Sequence, residues 1–244
     1  MEKNQINVRK SVAKDPLGSA MRDFFHEGLD FPIQVTINGR RDEDMLPSLF
    51  FRNYQKMRGY ERLALKLCKG SVLDVGAAVG CHSLLLQKRG LDVTALEKSP
   101  LAAEIARNRG VDRVICDDVF HVRGIQFNTI LLLMNGLGMG GTEEGTLKLL
   151  KHLKKMLAPK GCIYGDSTDI LYKTMDVKGV FGQGHDYHGQ VKFKLKYRGI
   201  SAEPFPWIYL DPALLAELCD KAGLKCQIIH RDPDFHYLAK ITSV

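Results

Sequence analysis

Residues 72–80 constrain the fold of this chain more than any other segment of similar length. The first four, Val-Leu-Asp-Val, have the apolar and β-branched character of a buried strand. The next five, Gly-Ala-Ala-Val-Gly, have the small side chains of a tight turn, and residues 81–89 have a helical pattern. A strand, a small-residue turn and a helix in this order direct backbone N–H groups at a ligand.

The same alternation of strand and helix continues through the middle of the chain. The strands are continuous apolar runs, which is typical of a parallel sheet that is covered on both faces. The sequence therefore predicts a doubly wound α/β fold. The predicted strands are 72–75, 92–96, 113–116, 129–134 and 161–165, and the predicted helices are 81–88, 100–109 and 142–157.

The two ends of the chain have other patterns. The pattern of the N-terminal part predicts a cap. The rest of the chain predicts an α/β domain with a small antiparallel insertion and a terminal hairpin. We expect the cap at residues 1–70, with a strand at 33–37 and helical residues at 46–68. The domain is expected at 71–244, with an insertion at about 176–210 that contains strands at 191–197 and 205–210. A helix at 212–222 and a hairpin at 225–241 complete the domain.

Composition excludes several classes of protein. The chain has 244 residues, of which 45% are hydrophobic and 26% charged, as in a folded globular domain. No apolar run approaches the roughly 20 residues of a membrane span, and the first residues lack the apolar core of a signal peptide. We therefore expect a cytoplasmic protein. The six cysteines form no Cys-x-x-Cys pair, which argues against a disulfide framework or a zinc site.

The formal net charge of +7 could indicate a nucleic-acid partner. The densest basic segment, residues 148–160, has apolar residues at helical spacing and lysines on the opposite face. No aromatic residues interleave with these lysines, as they do in proteins that bind single strands. The charge therefore predicts a solvated basic surface.

The spacing of the glycines separates two kinds of nucleotide site. A dinucleotide turn, Gly-x-Gly-x-x-Gly, would place glycines where this chain has Ala78 and Cys81. The spacing here is Asp-x-Gly-x-x-x-Gly, from Asp74 through Gly76 to Gly80. It resembles the first motif of class I S-adenosylmethionine-dependent methyltransferases, with alanine in place of the middle glycine. Alanine permits close approach but favours a negative φ.

Two acidic residues extend the resemblance. Glu97 ends the second predicted strand, where a carboxylate can accept hydrogen bonds from both ribose hydroxyls. It would serve an NAD enzyme equally well. Asp118 follows the third strand. In the methyltransferase family an acid at this point binds the adenine amino group, and the backbone of the next residue, here Val119, contacts the adenine ring. Asp117 is an alternative, and an acid at such a corner can also simply form a turn.

The resemblance covers about residues 46–169 and, more weakly, the terminal hairpin. It implies a mostly parallel, seven-stranded Rossmann-like sheet with an antiparallel last strand, and S-adenosyl-L-methionine as cofactor. By analogy with the family, Asp74 faces the methionine end of the cofactor, and Asn135, after the fourth strand, lies near the sulfonium. The implied cofactor-binding residues are Asp74, Gly76, Ala78, Gly80, Glu97, Asp118, Val119 and Asn135.

The acceptor is expected at the carboxyl ends of the fourth and fifth strands. Enzymes that methylate amino groups of nucleic acids carry Asn/Asp-Pro-Pro-aromatic after the fourth strand, whereas Asn135 is followed by Gly-Leu-Gly. This argues against base methylation and favours a small-molecule acceptor. The glycines of residues 136–141 could admit a substrate to the backbone or form a flexible loop.

No residue is required as a universal catalyst in such a reaction, but several could bind or deprotonate an acceptor. Asp166 and Asp169 follow the fifth strand, and Asp169 could equally cap a helix. A glycine-rich loop carries His185 and His188, either of which could act as a base on a lid. They lack a third ligand, so no metal is expected. Trp207 could stack on a substrate, although packing in the core is the expectation.

The sequence thus predicts an S-adenosylmethionine-dependent methyltransferase of small molecules. The alternatives are an RNA or protein methyltransferase, suggested by the charge, and a non-catalytic protein that binds S-adenosylmethionine; an NAD(H) enzyme fits least. Tyr54 and Arg58 could close over the cofactor's carboxylate. The strand at 191–197 could pair across a homodimer.

Overall fold

The computed structural model describes residues 14–170 and 187–244. In these ranges helices and strands alternate as expected from residue 71 onward. The α-helices are α1 (Pro16–Glu27), α2 (Gly59–Leu67), α3 (Cys81–Lys88), α4 (Pro100–Asn108), α5 (Glu143–Lys155) and α6 (Pro212–Lys221). The strands are β1 (Gln34–Ile37), β2 (Arg40–Arg41), β3 (Ser71–Val75), β4 (Asp92–Glu97), β5 (Val114–Cys116), β6 (Phe127–Leu132), β7 (Leu157–Thr168), β8 (Gln190–Tyr197), β9 (Ile200–Ser201), β10 (Phe205–Ile208), β11 (Leu224–Arg231) and β12 (His236–Ser243).

The main sheet has seven strands in the order β11-β12-β7-β6-β3-β4-β5. Strands β3 to β7 run parallel, and β12 lies antiparallel between β7 and β11. Apolar residues of α5 and α6 pack on one face, and those of α2 and α3 pack on the other. The prediction of a doubly wound sheet with an antiparallel last strand in the terminal hairpin is confirmed. The carboxyl ends of β3, β4 and β6 therefore share one edge.

A second, antiparallel sheet has the order β10-β8-β1-β2, with β9 also paired to β8. It joins the N-terminal segment to the insertion, with Val35 opposite Leu195. The inner face packs against α1 through buried residues such as Met21. Because β1 and β10 occupy both edges of β8, that strand has no free edge for the pairing across a dimer that the sequence suggested.

The segment 46–68 contains less α-helix than the sequence predicted. It contains two 3-10 turns, Pro47–Phe51 and Tyr54–Lys56, before α2 begins at Gly59. Asn53 caps the second turn by accepting the Lys56 N–H. Within the described ranges, no helix has both the length and the apolar character that a membrane crossing requires.

Candidate cofactor and acceptor site

A cavity of about 380 Å³ opens where β3, β4 and β6 end. A cavity of this size suits a small-molecule ligand. The loops after β3, β5 and β6 form its floor and sides, and α1, Phe50 and Trp207 contribute further walls. Of the cofactor residues that the sequence predicts, those lining the cavity are Asp74, Gly76, Ala78, Glu97, Asp118 and Val119.

The turn after β3 has two left-handed residues at the cavity. Gly76 has φ +70°, and Ala78 has φ +49°. The expectation of a negative φ at Ala78 is wrong, because its N–H must turn toward Glu97 Oε2, to which it donates at 2.8 Å. A left-handed alanine costs roughly 1–2 kcal/mol, so this hydrogen bond holds strained backbone in place.

Asp74 and Gly80 support the turn from opposite sides. Asp74 is buried, lines the cavity and accepts a hydrogen bond from Ser83 Oγ at 2.6 Å. Gly80 caps α3 with φ +78° but is not among the lining residues. A Cβ at Gly80 would lie 2.5 Å from Val111 Cγ2, so its glycine serves packing between the turn and the loop after α4.

Glu97 lies at the end of β4 with its carboxylate already bonded to backbone. Oε2 accepts the Ala78 N–H and Oε1 accepts the Ser99 N–H, each at 2.8 Å. Burial raises the pKa of the Glu97 carboxyl, and these two N–H donors oppose the rise. The Lys98 backbone also lowers this pKa, and a carboxylate has about four acceptor positions, so Glu97 retains acceptor capacity for a ribose hydroxyl.

Asp118 lines the cavity while it also caps a short 3-10 turn, Val119–His121. Its Oδ1 accepts the Phe120 N–H, and its Oδ2 contacts Lys98 Nζ at 2.9 Å. Burial raises the pKa of Asp118, but the Lys98 and Phe120 contacts outweigh it, so the pKa lies below the ordinary value. Asp117, the alternative, also lines the cavity, with its Oδ1 bonded to His121.

The loop after β6 borders the cavity with Met134 and Gly136, but Asn135 between them is not among the lining residues. The Asn135 N–H donates to Asp166 Oδ2 at 2.7 Å, and its Oδ1 accepts from Thr168 Oγ1 at 2.8 Å. Asn135 therefore ties the end of β6 to the end of β7. Asp166 is fully buried, and burial raises its pKa to about 7.

The glycines of this loop have a packing role that sequence reasoning did not consider. A Cβ at Gly138 would lie 2.3 Å from Trp207 Nε1 and 2.6 Å from the Ile208 carbonyl oxygen. A Cβ at Gly140 would clash with Thr146. The glycines therefore let the 3-10 helix Gly136–Gly140 pack closely against β10 and α5.

Two of the residues predicted to act on the acceptor, Asp169 and His188, are not among the described residues that line the cavity. The Asp169 N–H donates to the Phe235 carbonyl, and the His188 ring lies 4.3 Å from that of Tyr187. Neither lines the cavity. His185 lies outside the described residues.

Tyr54 and Arg58 are also not among the residues that line the cavity. Tyr54 is exposed, and Arg58 Nη1 pairs with Asp234 Oδ2 at 3.1 Å. Trp207, in contrast, does line the cavity, and its ring also contacts those of Phe193 and Phe205. It therefore packs among aromatic side chains, as expected, and also borders the cavity.

Sequence reasoning missed His82 and three apolar residues of the N-terminal segment. His82, the second residue of α3, lines the cavity directly after the glycine turn. Its position could have been inferred, because the first turn of the helix after β3 faces the ligand in this topology. Leu17, Met21 and Phe50 also line the cavity. No local pattern indicates that α1 returns to the sheet edge.

One solved structure is a clear relative of this chain, and others share its fold. One is an S-adenosylmethionine-dependent methyltransferase from Bacteroides fragilis in complex with S-adenosyl-L-homocysteine, with 34% identity, coverage of 95% of this chain and 96% of that one, and a TM-score of 0.86. The CcbJ methyltransferase from Streptomyces caelestis has 15% identity, coverage of 78% and 94%, and a TM-score of 0.59. A sugar N-methyltransferase from Streptoalloteichus sp has 15% identity, coverage of 83% and 95%, and a TM-score of 0.54.

The last two comparisons support the fold alone, whereas the first extends over almost the whole chain. No protein-family model and no curated protein matched the sequence. The motif, the sheet order and the Bacteroides relative agree with one another. The chain belongs to the class I S-adenosylmethionine-dependent methyltransferases.

Proposed function

We propose that this enzyme methylates a small molecule and binds its cofactor in the cavity at the ends of β3, β4 and β6. The observation that carries the assignment is the convergence of Asp74, Glu97 and Asp118 on one cavity of about 380 Å³. These three side chains come from three separate strand ends, so their convergence depends on the fold.

Each part of the cavity matches one part of the cofactor. We assign the remaining acceptor capacity of Glu97 to the ribose hydroxyls, and Asp118 with the backbone of Val119 to the adenine. The left-handed turn at Gly76 and Ala78 accommodates the methionine end, with Asp74 beneath it. Met134 and Gly136, which border the cavity, replace Asn135 as the residues nearest the reacting carbon.

S-adenosylmethionine supplies a methyl group that is already activated on a sulfonium. The protein must therefore align the acceptor for in-line attack and keep water away. The apolar side chains of Leu17, Met21 and Phe50 face the cavity and exclude water from one side. Trp207 closes another side and offers a flat surface for an acceptor.

The covering elements favour a small acceptor over a macromolecule. Helix α1 and strand β10 both contribute side chains to the cavity wall, which leaves a compact volume. One structural relative is described as a sugar N-methyltransferase, and another as an amino pentose methyltransferase. Both are consistent with a small acceptor, although their likeness to this chain is one of fold.

An RNA or protein acceptor is the second candidate, and one surface favours it. Lys192, Lys194 and Lys196 alternate along β8 and are exposed. They extend a basic face in a chain of net charge +7. A polyanion bound there would show a steep dependence on salt.

Calorimetric titration with S-adenosylhomocysteine tests the cofactor assignment. We expect wild type to bind, and Glu97→Ala to weaken binding at least tenfold, which corresponds to about 1.4 kcal/mol. Glu104→Ala, at an exposed position on α4, is the matched control and should leave the affinity unchanged. Equal affinity of the Glu97→Ala and wild-type chains would remove Glu97 from the site.

Transfer of a labelled methyl group distinguishes the two acceptor classes. We expect label to enter amines or phenols of low molecular weight, with no incorporation into total RNA or histones. Incorporation into RNA that declines steeply between 50 and 200 mM salt would instead support the second candidate.

A further inference from the structure

A group of buried ionisable side chains lies behind the cavity. Glu61 of α2, His82 of α3 and Asp166 of β7 are each less than 5% exposed. Two of their atoms, His82 Nε2 and Asp166 Oδ1, are buried without a hydrogen-bond partner among the described residues. Buried polar atoms normally find partners, so this arrangement indicates a role beyond packing.

The group is ordered from the interior toward the cavity. Arg52 contacts Glu61 at 3.0 Å, and His82 Nε2 lies 3.6 Å from Glu61 Oε2. Burial alone would raise the pKa of the Glu61 carboxyl. The contacts with His82 and Arg52 lower this pKa by more than burial raises it, so it lies below the ordinary value. Glu61 is therefore an anion beside the imidazole.

His82 is the member of this series that lines the cavity. Because Nε2 lies near Glu61 Oε2, Nδ1 is the ring nitrogen that remains available to a ligand in the cavity. A base oriented by a buried carboxylate is the usual arrangement for proton abstraction. The other charged groups near the imidazole are Asp166, on β7, and Asp74, which bonds to Ser83 beside it.

We propose that His82 is the general base of this methyltransferase and that Glu61 is its positioning residue. The inference rests on the proposed function, and it narrows the acceptor to a molecule whose attacking nitrogen or oxygen carries a proton. The lone pair of that atom forms the bond to the methyl carbon while the carbon–sulfur bond breaks toward sulfur. The acceptor proton passes to His82 Nδ1, and the Glu61 carboxylate stabilises the imidazolium until solvent removes the proton.

Nitrogen-15 NMR of histidine-labelled, full-length protein tests this assignment without an acceptor. We expect the neutral His82 ring, assigned by its loss in His82→Gln, to carry its proton on Nε2, with or without S-adenosylhomocysteine. Glu61→Gln should reduce the fraction of that ring that carries its proton on Nε2, because the anion that accepts from Nε2–H is lost. Glu144→Gln, at an exposed position on α5, should leave that fraction unchanged.

A ring that carries its proton on Nδ1 in the wild-type chain would overturn the proposal, whether or not Glu61→Gln folds. If the protein failed to bind S-adenosylhomocysteine, the proposed function would be contradicted. The position of the proton on the His82 ring could still be measured in the free protein, so the two proposals can fail separately.

Kinetics with benzylamine and phenol as probe acceptors test the chemical role. We expect His82→Gln to lower methyl transfer at pH 7 at least 100-fold while its affinity for S-adenosylhomocysteine stays within threefold of wild type. With benzylamine, transfer should recover at pH 10, where the amine is already deprotonated. His26→Gln, at an exposed position on α1, is the control. Equal transfer by wild type and His82→Gln would contradict a base at this position.

Discussion

Gly80 shows how one residue joins the cofactor turn to the rest of the fold. A Cβ there would lie 2.5 Å from Val111 Cγ2, and φ is +78°. Gly124 has a similar φ of +76° but open space around it. The variant Gly124→Ala therefore introduces the backbone strain of a left-handed alanine without a steric clash. We expect Gly80→Ala to lose about 1–3 kcal/mol more stability than Gly124→Ala in urea denaturation. Equal losses would mean that Val111 moves aside without cost.

Asp166 makes the stability of the fold depend on pH. Its folded pKa of about 7 exceeds the ordinary value of about 3.9, so its ionisation disfavours the folded state. Stability from this residue is fully present below about pH 4 and is lost as pH rises toward 7. Asp166→Asn should keep the bond from the Asn135 N–H without the charge.

Urea denaturation across that pH range gives the measurement for Asp166. Relative to wild type, Asp166→Asn should gain up to about 1.4 kcal/mol per pH unit between pH 4 and 7. A difference that stays constant with pH would show that the carboxyl does not titrate in this window.

Single residues differ in how far the sequence reveals their roles. Asp74 was predicted from the spacing of the glycine turn, Glu97 from its place at the end of a strand, and Asp118 from the resemblance to the methyltransferase family. His82 was missed because its significance depends on Glu61, which is 21 positions earlier in the chain and on another helix. The left-handed Ala78 was also missed, because the Glu97 bond that holds it is a tertiary contact.

At the level of elements, helix α3 agrees with its predicted range, 81–88, whereas β7 is longer than predicted. The sequence predicted 161–165, but β7 extends from Leu157 to Thr168 because it pairs with β6 on one side and β12 on the other. Strand length is thus set by partners that a local pattern does not contain.

The contact between the 3-10 helix Gly136–Gly140 and β10 can be tested through the only tryptophan of the chain. Gly138→Ala places a Cβ against Trp207 Nε1 and the Ile208 carbonyl. We expect a shifted Trp207 emission maximum and about 1–3 kcal/mol lower stability. Gly59→Ala, whose Cβ would meet only His230 at 3.9 Å, should change neither quantity. Unchanged emission from Gly138→Ala would contradict this close contact.

For the molecule as a whole, the second sheet was the least predictable feature. Each strand could be inferred locally, but the pairing of β1 with β8 joins residues about 160 positions apart. Such contacts depend on the complete fold, and the sequence pattern does not specify the partner. The same layer supplies the cover of the cavity, which explains why its apolar wall was not predicted.

Asp23 joins helix α1 to strand β8 within this cover. It is buried on α1 and accepts hydrogen bonds from Tyr197 Oη and Arg198 Nη1, each at 3.1 Å. Asp23→Ala should lower the free energy of unfolding by about 1.5–3 kcal/mol, measured by urea denaturation. Asp220→Ala, at an exposed position on α6, should change it by less than about 0.5 kcal/mol. A similar loss in both variants would show that the link contributes little.

The central claim is that the cavity at the ends of β3, β4 and β6 holds S-adenosylmethionine. A crystal structure with S-adenosylhomocysteine tests it most directly. We predict ribose hydroxyls within about 3 Å of the Glu97 carboxylate, the adenine beside Asp118 and Val119, and the sulfur near Met134 and Gly136. Ligand bound elsewhere, or a ribose that makes no contact with Glu97, would contradict the account.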